Sequence, residues 1–372
     1  PALAACVRHV YALVDAGDAL VLPTTKIGLV KSVLACVSGC TGKQRFALHL
    51  ARGLTSNLRP HLRAKVYAHV LDHCGVRVPA QQGNYLAGKV PGADAWDPRM
   101  YQFMPLPSAA AAAQTTTQIG GHGLGADGIW QCYSLAAPPT PQRIAQHRVA
   151  VAEGTEASDA SIKLNYDPNN PFLVLTPSMQ AYADTLRMWL SEDTVKAMTL
   201  PIATLQNTNK ARKSAQTTVA WPAVMLLGES GCGKTMLLQH VLASEPNIAV
   251  GTVSCTPTTT AAQLLRKLQE MCIVATDAGQ GKILRPRDNR SRAVLVVRHV
   301  DIIQPDAYGT VEAVAFLQQL VTMQGYYEPG TLDWITLSSV QVVCVINGEG
   351  PRRFPVTSRL AANMHVLHIA AP

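Results

Sequence analysis

Apolar residues recur at three- and four-residue spacing through LAACVRHVYALV, IGLVKSVLACV, QRFALHLARGL and LRAKVYAHVLDH. That period gathers them on one face of a helix, so each run predicts one. Gly39, Gly42, Gly53 and Pro60 fall between or at the ends of these runs, where helices stop. Residues 1–78 therefore read as a small all-helical domain.

The periodicity lapses over 79–170, where PGADAWDP, PLPSAAAAAQTTTQIGGHGLGADG and AAPPTPQ carry Gly, Pro, Thr and Ala. This stretch is too long to be a connector inside a compact domain and reads as a partly ordered insertion. Within it, GIWQCYSL and RIAQHRVAVAE are expected to pair as a hairpin or to dock as strands.

From 171 to 372 the pattern alternates. AVMLLG, IAVGTVSC, AVLVVRHV, VQVVCVIN and MHVLHI are short runs rich in Val, Ile and Leu, as strands buried on both faces require. KTMLLQHVLASE, TTAAQLLRKLQEMC and VEAVAFLQQLVTMQ between them have helical spacing. Strand–helix alternation of this kind predicts an α/β domain with a parallel sheet of about five strands flanked by helices.

One segment of this domain carries chemistry. Gly228, Glu229, Ser230, Gly231, Cys232, Gly233, Lys234 and Thr235 match the phosphate-binding loop G-x-x-x-x-G-K-[ST], followed by Met236 in the predicted helix. Its context, strand before and helix after, is the one the motif requires. Gly231 and Gly233 let the backbone turn its N–H groups toward a phosphate, at the positive end of the helix. Lys234 is expected to reach the β- and γ-phosphates, and Thr235 to offer its hydroxyl to Mg²⁺ if that ion binds. The implied cofactor is ATP or ADP.

Hydrolysis needs an acidic residue at the tip of a neighbouring strand. The strand with that role is AVLVV, and the residues at its tip are Arg298 and His299. Arginine cannot ligate Mg²⁺, and imidazole is a poor substitute for a carboxylate beside a triphosphate. Asp301 lies three residues past Arg298, roughly 10 Å farther along if the strand continues, and on its opposite face. It reaches the site only if the chain bends. The expectation is therefore a site that holds nucleotide with little or no turnover. Asn347, ending VQVVCVI, is placed to contact a γ-phosphate or attacking water. Arg359, shortly before the last strand, stands where ring ATPases carry an arginine finger.

Composition narrows the classes. The chain has 372 residues, a formal charge of +8 and only 5% aromatic residues. The charge is diffuse and lacks the aromatic interleaving of single-strand binders, so no nucleic-acid partner is expected. The one dense basic patch, NKARKSAQ at 209–216, reads as a solvated loop. No apolar run approaches the roughly 20 residues of a membrane helix, so no membrane partner is expected. The nine cysteines have no paired spacing and predict reduced thiols buried in a cytosolic core. His69, His73 and Cys74 could in principle grip a metal, but nothing nearby completes a ligand set; a helix end is the simpler reading. The first residues show neither an initiator Met nor a signal layout, which reads as the interior of a longer polypeptide.

With these parts placed, FLVLTPSMQAYADTLRMWL, LLGESGCGKTMLLQH, VSCTPTTTAAQLLRKLQEMC and YGTVEAVAFLQQLVTMQGYYEPGTLDWITLSSVQVV resemble the AAA+ modules of dynein heavy chains, in particular those of the cytoplasmic dynein 2 class that drives retrograde intraflagellar transport. GLVKSVLACVSGCTGKQRFALHLARGLTSNL resembles the lid that closes the preceding module. The resemblance covers roughly the first 75 residues and most of 171–372. It implies the lid of the second module followed by the large subdomain of the third, packed as one rigid block. It also implies that Leu173, Val174, Leu175 and Thr176 flank the adenine, that Asn347 is sensor 1, and that Arg359 reaches the second module's nucleotide. The partners it implies are neighbouring modules of the same heavy chain, with microtubules and accessory chains engaged through other regions. The location it implies is the cytoplasm, cytoskeleton and cilium or flagellum. Arg298 and His299 depart from the acidic pair of active dynein modules.

Overall fold

The computed structural model describes residues 2–38, 40, 42–76, 101–105, 124–125, 128–132, 176–191, 221–245, 247–277, 281–288, 290–347, 353–354 and 356–370. The chain falls into two compact units, Pro1–Arg77 together with Asp184–Pro372, and Val78–Ala183.

The predicted helices of the first part are α1 (Ala2–Asp15), α2 (Lys26–Val37), α3 (Lys43–Thr55) and α4 (Pro60–His73). Thr25 caps α2 by accepting from the Gly28 N–H at 3.1 Å, and Pro60 opens α4 at the position where a missing N–H costs nothing. Gly53 does not end a helix as expected. It lies inside α3, where a Cβ would stand 2.9 Å from Val33 Cα and 3.3 Å from Cys36 Cβ. Its missing side chain is what lets α3 approach α2. Buried Asn57 ties two loops together, accepting from the Leu22 N–H at 3.1 Å and donating to the Leu22 carbonyl at 2.8 Å.

In the second unit, β1 (Tyr101–Pro105), β2 (Leu124–Gly125) and β3 (Gly128–Cys132) form an antiparallel sheet in the order β1-β3-β2. Of the predicted strand GIWQCYSL, the first five residues form β3; its partner Tyr101–Pro105 was not anticipated, and RIAQHRVAVAE lies outside the described residues, as does the basic loop 209–216. Helix α5 (Pro177–Leu190) follows, and from Asp184 onward its residues belong to the first unit.

The α/β part contains β4 (Val224–Leu227), α6 (Lys234–Ala243), β5 (Ile248–Ser254), α7 (Ala261–Met271), β6 (Cys272–Asp277), β7 (Gly281–Pro286), β8 (Arg292–Arg298), α8 (Glu312–Met323), β9 (Gly325–Tyr327), β10 (Trp334–Leu337), β11 (Val340–Ile346), α9 (Ser358–Ala361) and β12 (His365–His368). All five predicted strands form one parallel sheet, in the order β12-β4-β11-β8-β5. Alternation along these strands builds two apolar faces. Met225, Leu227, Leu295, Val297, Val342, Cys344 and Ile346 pack with Leu264 of α7, Ala313 and Leu317 of α8, and Leu360 of α9. Val224, Leu226, Val294, Val296, Val343 and Val345, on the alternate positions, are also buried. A sheet apolar on both faces has to be covered on both, and this one carries near-continuous aliphatic runs for that reason.

A second sheet, in the order β6-β7-β10-β9, was not anticipated. β6 pairs antiparallel with β7, β7 parallel with β10, and β10 antiparallel with β9. Its core joins Leu284, Tyr326, Ile335 and Leu337 to Leu268 of α7 and Leu320 of α8. Cys272, read as the end of the α7 helix, begins β6 instead.

The helical part and the α/β part meet within the first compact unit. Arg63 of α4 donates to the His368 carbonyl at 3.0 Å and also bonds the His368 ring. Ser32 of α2 bonds His365 Nδ1 at 3.1 Å, and the Trp189 indole N–H donates to Cys36 Sγ at 3.1 Å. The His368 N–H donates to the Ser56 carbonyl at 2.8 Å. Leu22, from the loop between α1 and α2, sits in the sheet's own core.

Among the described residues, no helix is long and apolar enough to cross a membrane. Eight cysteines among the described residues, Cys6, Cys36, Cys40, Cys74, Cys232, Cys255, Cys272 and Cys344, are free, and of these all but Cys40 are buried. Burial pushes the thiols of Cys255 and Cys272 up to about 11 and about 12. Such thiols stay protonated and unreactive at neutral pH.

Candidate nucleotide site

Parallel register aligns the carboxyl ends of β4, β11 and β8. Leu227 lies opposite Ile346, and Val345 opposite Arg298. Gly228, Asn347 and His299 therefore leave the sheet side by side, at the edge where open α/β sheets bind ligands.

The phosphate loop has the predicted form. Gly231 and Gly233 hold φ of 87° and 85°, the left-handed region that glycine enters at no steric cost. Gly233 stands directly before the first turn of α6, which begins at Lys234 and carries half-buried Thr235 and Met236. Glu229 and Ser230 are exposed, whereas Gly228 and Cys232 are buried. A Cβ at Gly228 would lie 2.4 Å from the Ile369 carbonyl oxygen and 2.9 Å from Cys232 Sγ. The loop is thus seated against the chain that leaves β12. Lys234 is only 5% exposed; its ammonium donates to the carbonyls of Gly228, at 2.9 Å, and Glu229. The loop's own acceptors, Cys232 Sγ at 3.6 Å included, hold the charge in place, and an arriving phosphate would take over one of these bonds.

The expectation of a continuing strand past Arg298 is corrected. β8 ends at Arg298, and His299 adopts φ 61° and ψ 40°, turning the chain into a short 3₁₀ segment, Val300–Ile302. The His299 N–H keeps the sheet register by donating to the Val345 carbonyl at 2.8 Å. The bend brings Asp301 to the end of β11, where its Oδ2 accepts from the Asn347 N–H at 3.3 Å and pairs with the Arg353 guanidinium. Asp301 is 2% exposed, and its backbone carbonyl accepts from the Phe354 N–H at 2.7 Å. The carboxylate thus fastens the segment after β11 to the 3₁₀ segment. Its Oδ1 has no hydrogen-bond partner among the described residues.

His299 stands among several charges. Burial lowers its pKa first and Arg298 next, with Arg353 and Lys234 in the same direction and Asp301 opposing. The imidazole is accordingly neutral at pH 7. Arg298 is half-buried, and its Nε has no hydrogen-bond partner among the described residues.

Magnesium bound with a nucleotide takes one or two protein carboxylates besides the phosphates. The strand tip offers Arg298 and His299 instead, and Asp301, described beside them, has its Oδ2 paired with Arg353 and only Oδ1 left without a partner among the described residues. Thr235 lies half-buried in the first turn of α6. These residues do not fit a resident Mg²⁺.

Other expected positions fall as follows. Asn347 directly follows β11. Arg359 lies in α9, exposed, with its carbonyl bonded by Asn363. Leu173, Val174 and Leu175 lie outside the described residues; Thr176 accepts from the Met179 N–H at 3.3 Å, capping α5. His69 of α4 stacks on His9 at a ring separation of 3.9 Å and lies 4.3 Å from the His73 ring. No metal-holding group of His, Cys, Asp or Glu occurs among the described residues. Arg353 and the bend at His299 had no sequence signal that singled them out.

Comparison with known proteins accounts for both parts of the first unit. The family described as the P-loop containing dynein motor region matches residues 191–372. The AAA+ ATPase domain of cytoplasmic dynein 2 heavy chain 1 matches residues 5–74. Cytoplasmic dynein 2 heavy chain 1 of Homo sapiens is 30% identical over 234 residues, 63% of this chain, and that of Tripneustes gratilla 29% over 240 residues, 62% of this chain. The cytoplasmic dynein heavy chain of Caenorhabditis elegans is 26% identical over 247 residues, 66% of this chain. The chain spans about 5% of the length of each of these relatives. With a dynein-type phosphate loop on a five-stranded parallel sheet, and dynein matches on either side of the intervening segment, the chain belongs to the dynein heavy chain family.

Proposed function

We propose that this chain is a nucleotide-binding piece of a dynein motor of the cytoplasmic dynein 2 class, and that its site holds ATP or ADP with little hydrolysis. The helical part serves as the lid of the second AAA+ module and the α/β part as the large subdomain of the third. The hydrogen bonds from α2 and α4 to β12 support the reading that the two move as one block. Within the motor, the bound nucleotide stiffens the ring and biases how motion from the main ATPase site reaches the microtubule-binding region. Neighbouring modules of the same heavy chain are its direct partners. Microtubules and accessory chains act through other regions, in the setting of retrograde intraflagellar transport in the cilium. Asn347 is assigned the sensor role, and Arg359 the contact with the second module's nucleotide.

The observation that carries this reading is the pairing of a well-formed phosphate cradle with a strand tip bearing Arg298 and His299. Lys234, Gly231 and Gly233 can grip a triphosphate, whereas the nearest carboxylate is engaged by Arg353. Phosphate release is the test. It should stay at the level of a Lys234→Ala control while nucleotide still binds the unmodified chain.

A second reading, an active ATPase, draws support from the bend at His299, which carries Asp301 toward Asn347. There Asp301 would orient the attacking water after leaving Arg353. Release at ordinary ATPase rates, lost in Asp301→Asn, would favour it.

A further inference from the structure

Bound phosphate needs positive charge, and the fold ordinarily draws part of it from a metal ion held by strand-tip carboxylates. Here the strand tip supplies charge of the opposite kind. Arg298 ends β8 in register with Val345, whose other neighbour, Leu226, lies two residues before Gly228 of the phosphate loop. Lys234, Arg298 and Arg353 all lie within electrostatic reach of His299, and Asp301 is the one acid described there. Arg353 is committed to that acid. Arg298 has no such commitment: its buried Nε lacks a hydrogen-bond partner among the described residues. A buried N–H donor without an acceptor is costly, and a phosphate oxygen would relieve that cost. Guanidinium also matches phosphate geometry, through paired N–H donors that a lysine or a metal ion lacks.

We propose that this site takes nucleotide phosphates without a metal ion, the Arg298 guanidinium standing in for the charge that Mg²⁺ supplies elsewhere in the fold. The inference rests on the nucleotide-binding reading above. It adds the chemical form of the ligand, a metal-free ATP or ADP, and a specificity-determining residue. A divalent cation would have to enter beside Arg298 and Lys234, and the one carboxylate there, Asp301, offers it only Oδ1, because Oδ2 is held by Arg353 and the Asn347 N–H. Arg298 therefore excludes the ion by repulsion as well as replacing it.

The test is a ³¹P NMR titration of ATP and of ADP with the 372-residue chain, once with Mg²⁺ and once with excess EDTA. The proposal expects the two affinities to agree within about threefold, since no protein ligand is lost with the metal. Arg298→Ala should weaken binding roughly tenfold or more in EDTA, the effect of one charged hydrogen bond. Arg298→Lys should recover part of that loss, which a purely structural role would not grant. Binding that collapses in EDTA and depends on Mg²⁺ through Asp301, as shown by its loss in Asp301→Asn, overturns the metal-free inference and leaves the nucleotide site standing. Absence of binding under both conditions overturns both. The EDTA comparison needs no variant, so it stands even if Arg298→Ala fails to fold.

Discussion

A lysine buried on the carbonyls of its own loop is a different object from a lysine waving in solvent. Lys234 gives up little conformational freedom on meeting a phosphate, because Gly228 and Glu229 already hold it. Replacing it with Ala should weaken ATP binding by about 2–3 kcal/mol, the scale of a charge-assisted hydrogen bond. Calorimetric titration of both forms would check this, and an unchanged affinity would detach Lys234 from the phosphate. The same residue scale explains what the sequence could not reveal about Asp301. Its distance from the site followed from assuming a straight strand, and one left-handed residue, His299, cancels that assumption. Non-glycine residues seldom adopt this conformation, so nothing in VVRHVD announces it.

Buried histidines set a pH limit at this scale too. His365 is pushed down to about 4 by burial and by Lys31, and His368 to about 4 by burial, Arg63 and Lys234. Both values lie below the roughly 6.5 of an unperturbed histidine, so the unfolded chain binds the extra protons first. Stability contributed by the neutral rings is complete above about pH 6.5 and is lost as pH falls toward 4. Each ring costs up to about 1.4 kcal/mol per pH unit in that window, less for the partly exposed His368. Urea melts at about pH 7 and about pH 5 should show the lower midpoint in acid; equal midpoints would contradict the assignment.

At the scale of elements, legibility followed burial. The inner strands of the parallel sheet, β4, β11 and β8, are aliphatic runs because both faces are covered, and they were readable, as were the edge strands β12 and the only partly buried β5. The strands of the second sheet are short or weakly apolar; β6 starts directly at the end of α7, and no turn residue separates them. Periodicity cannot distinguish such a junction from a longer helix. Gly53 was misread for a related reason: glycine inside a helical run suggests an ending, whereas here it serves packing. Gly53→Val should destabilise by about 1–3 kcal/mol, the overpacking cost outweighing the few tenths to roughly 1 kcal/mol that a better helix former returns. The Val33 backbone cannot yield as a side chain would. Chemical denaturation would reveal a neutral substitution if α2 and α3 were less tightly apposed.

Across the whole molecule, the contacts between the helical and α/β parts decide whether they unfold together. Arg63 joins α4 to β12, and the residue after β12, Ile369, crowds Gly228 of the phosphate loop. Removing the guanidinium in Arg63→Ala should cost about 1–3 kcal/mol through the acceptors left unpaired. A single thermal transition shifted downward is expected; two separate transitions in the unmodified chain would show that the parts are independent. The segment 79–170 gave little beyond its β3 strand, because Ala, Thr, Gly and Pro without period specify no face to bury.

The central claim is that this cradle grips a triphosphate and leaves it intact. Its most direct test is to load the chain with ATP, isolate the complex and identify the bound nucleotide over time. Intact ATP, retained by the unmodified chain and absent from Lys234→Ala, is the predicted result; steady conversion of bound ATP to ADP that stops in Asp301→Asn would contradict it.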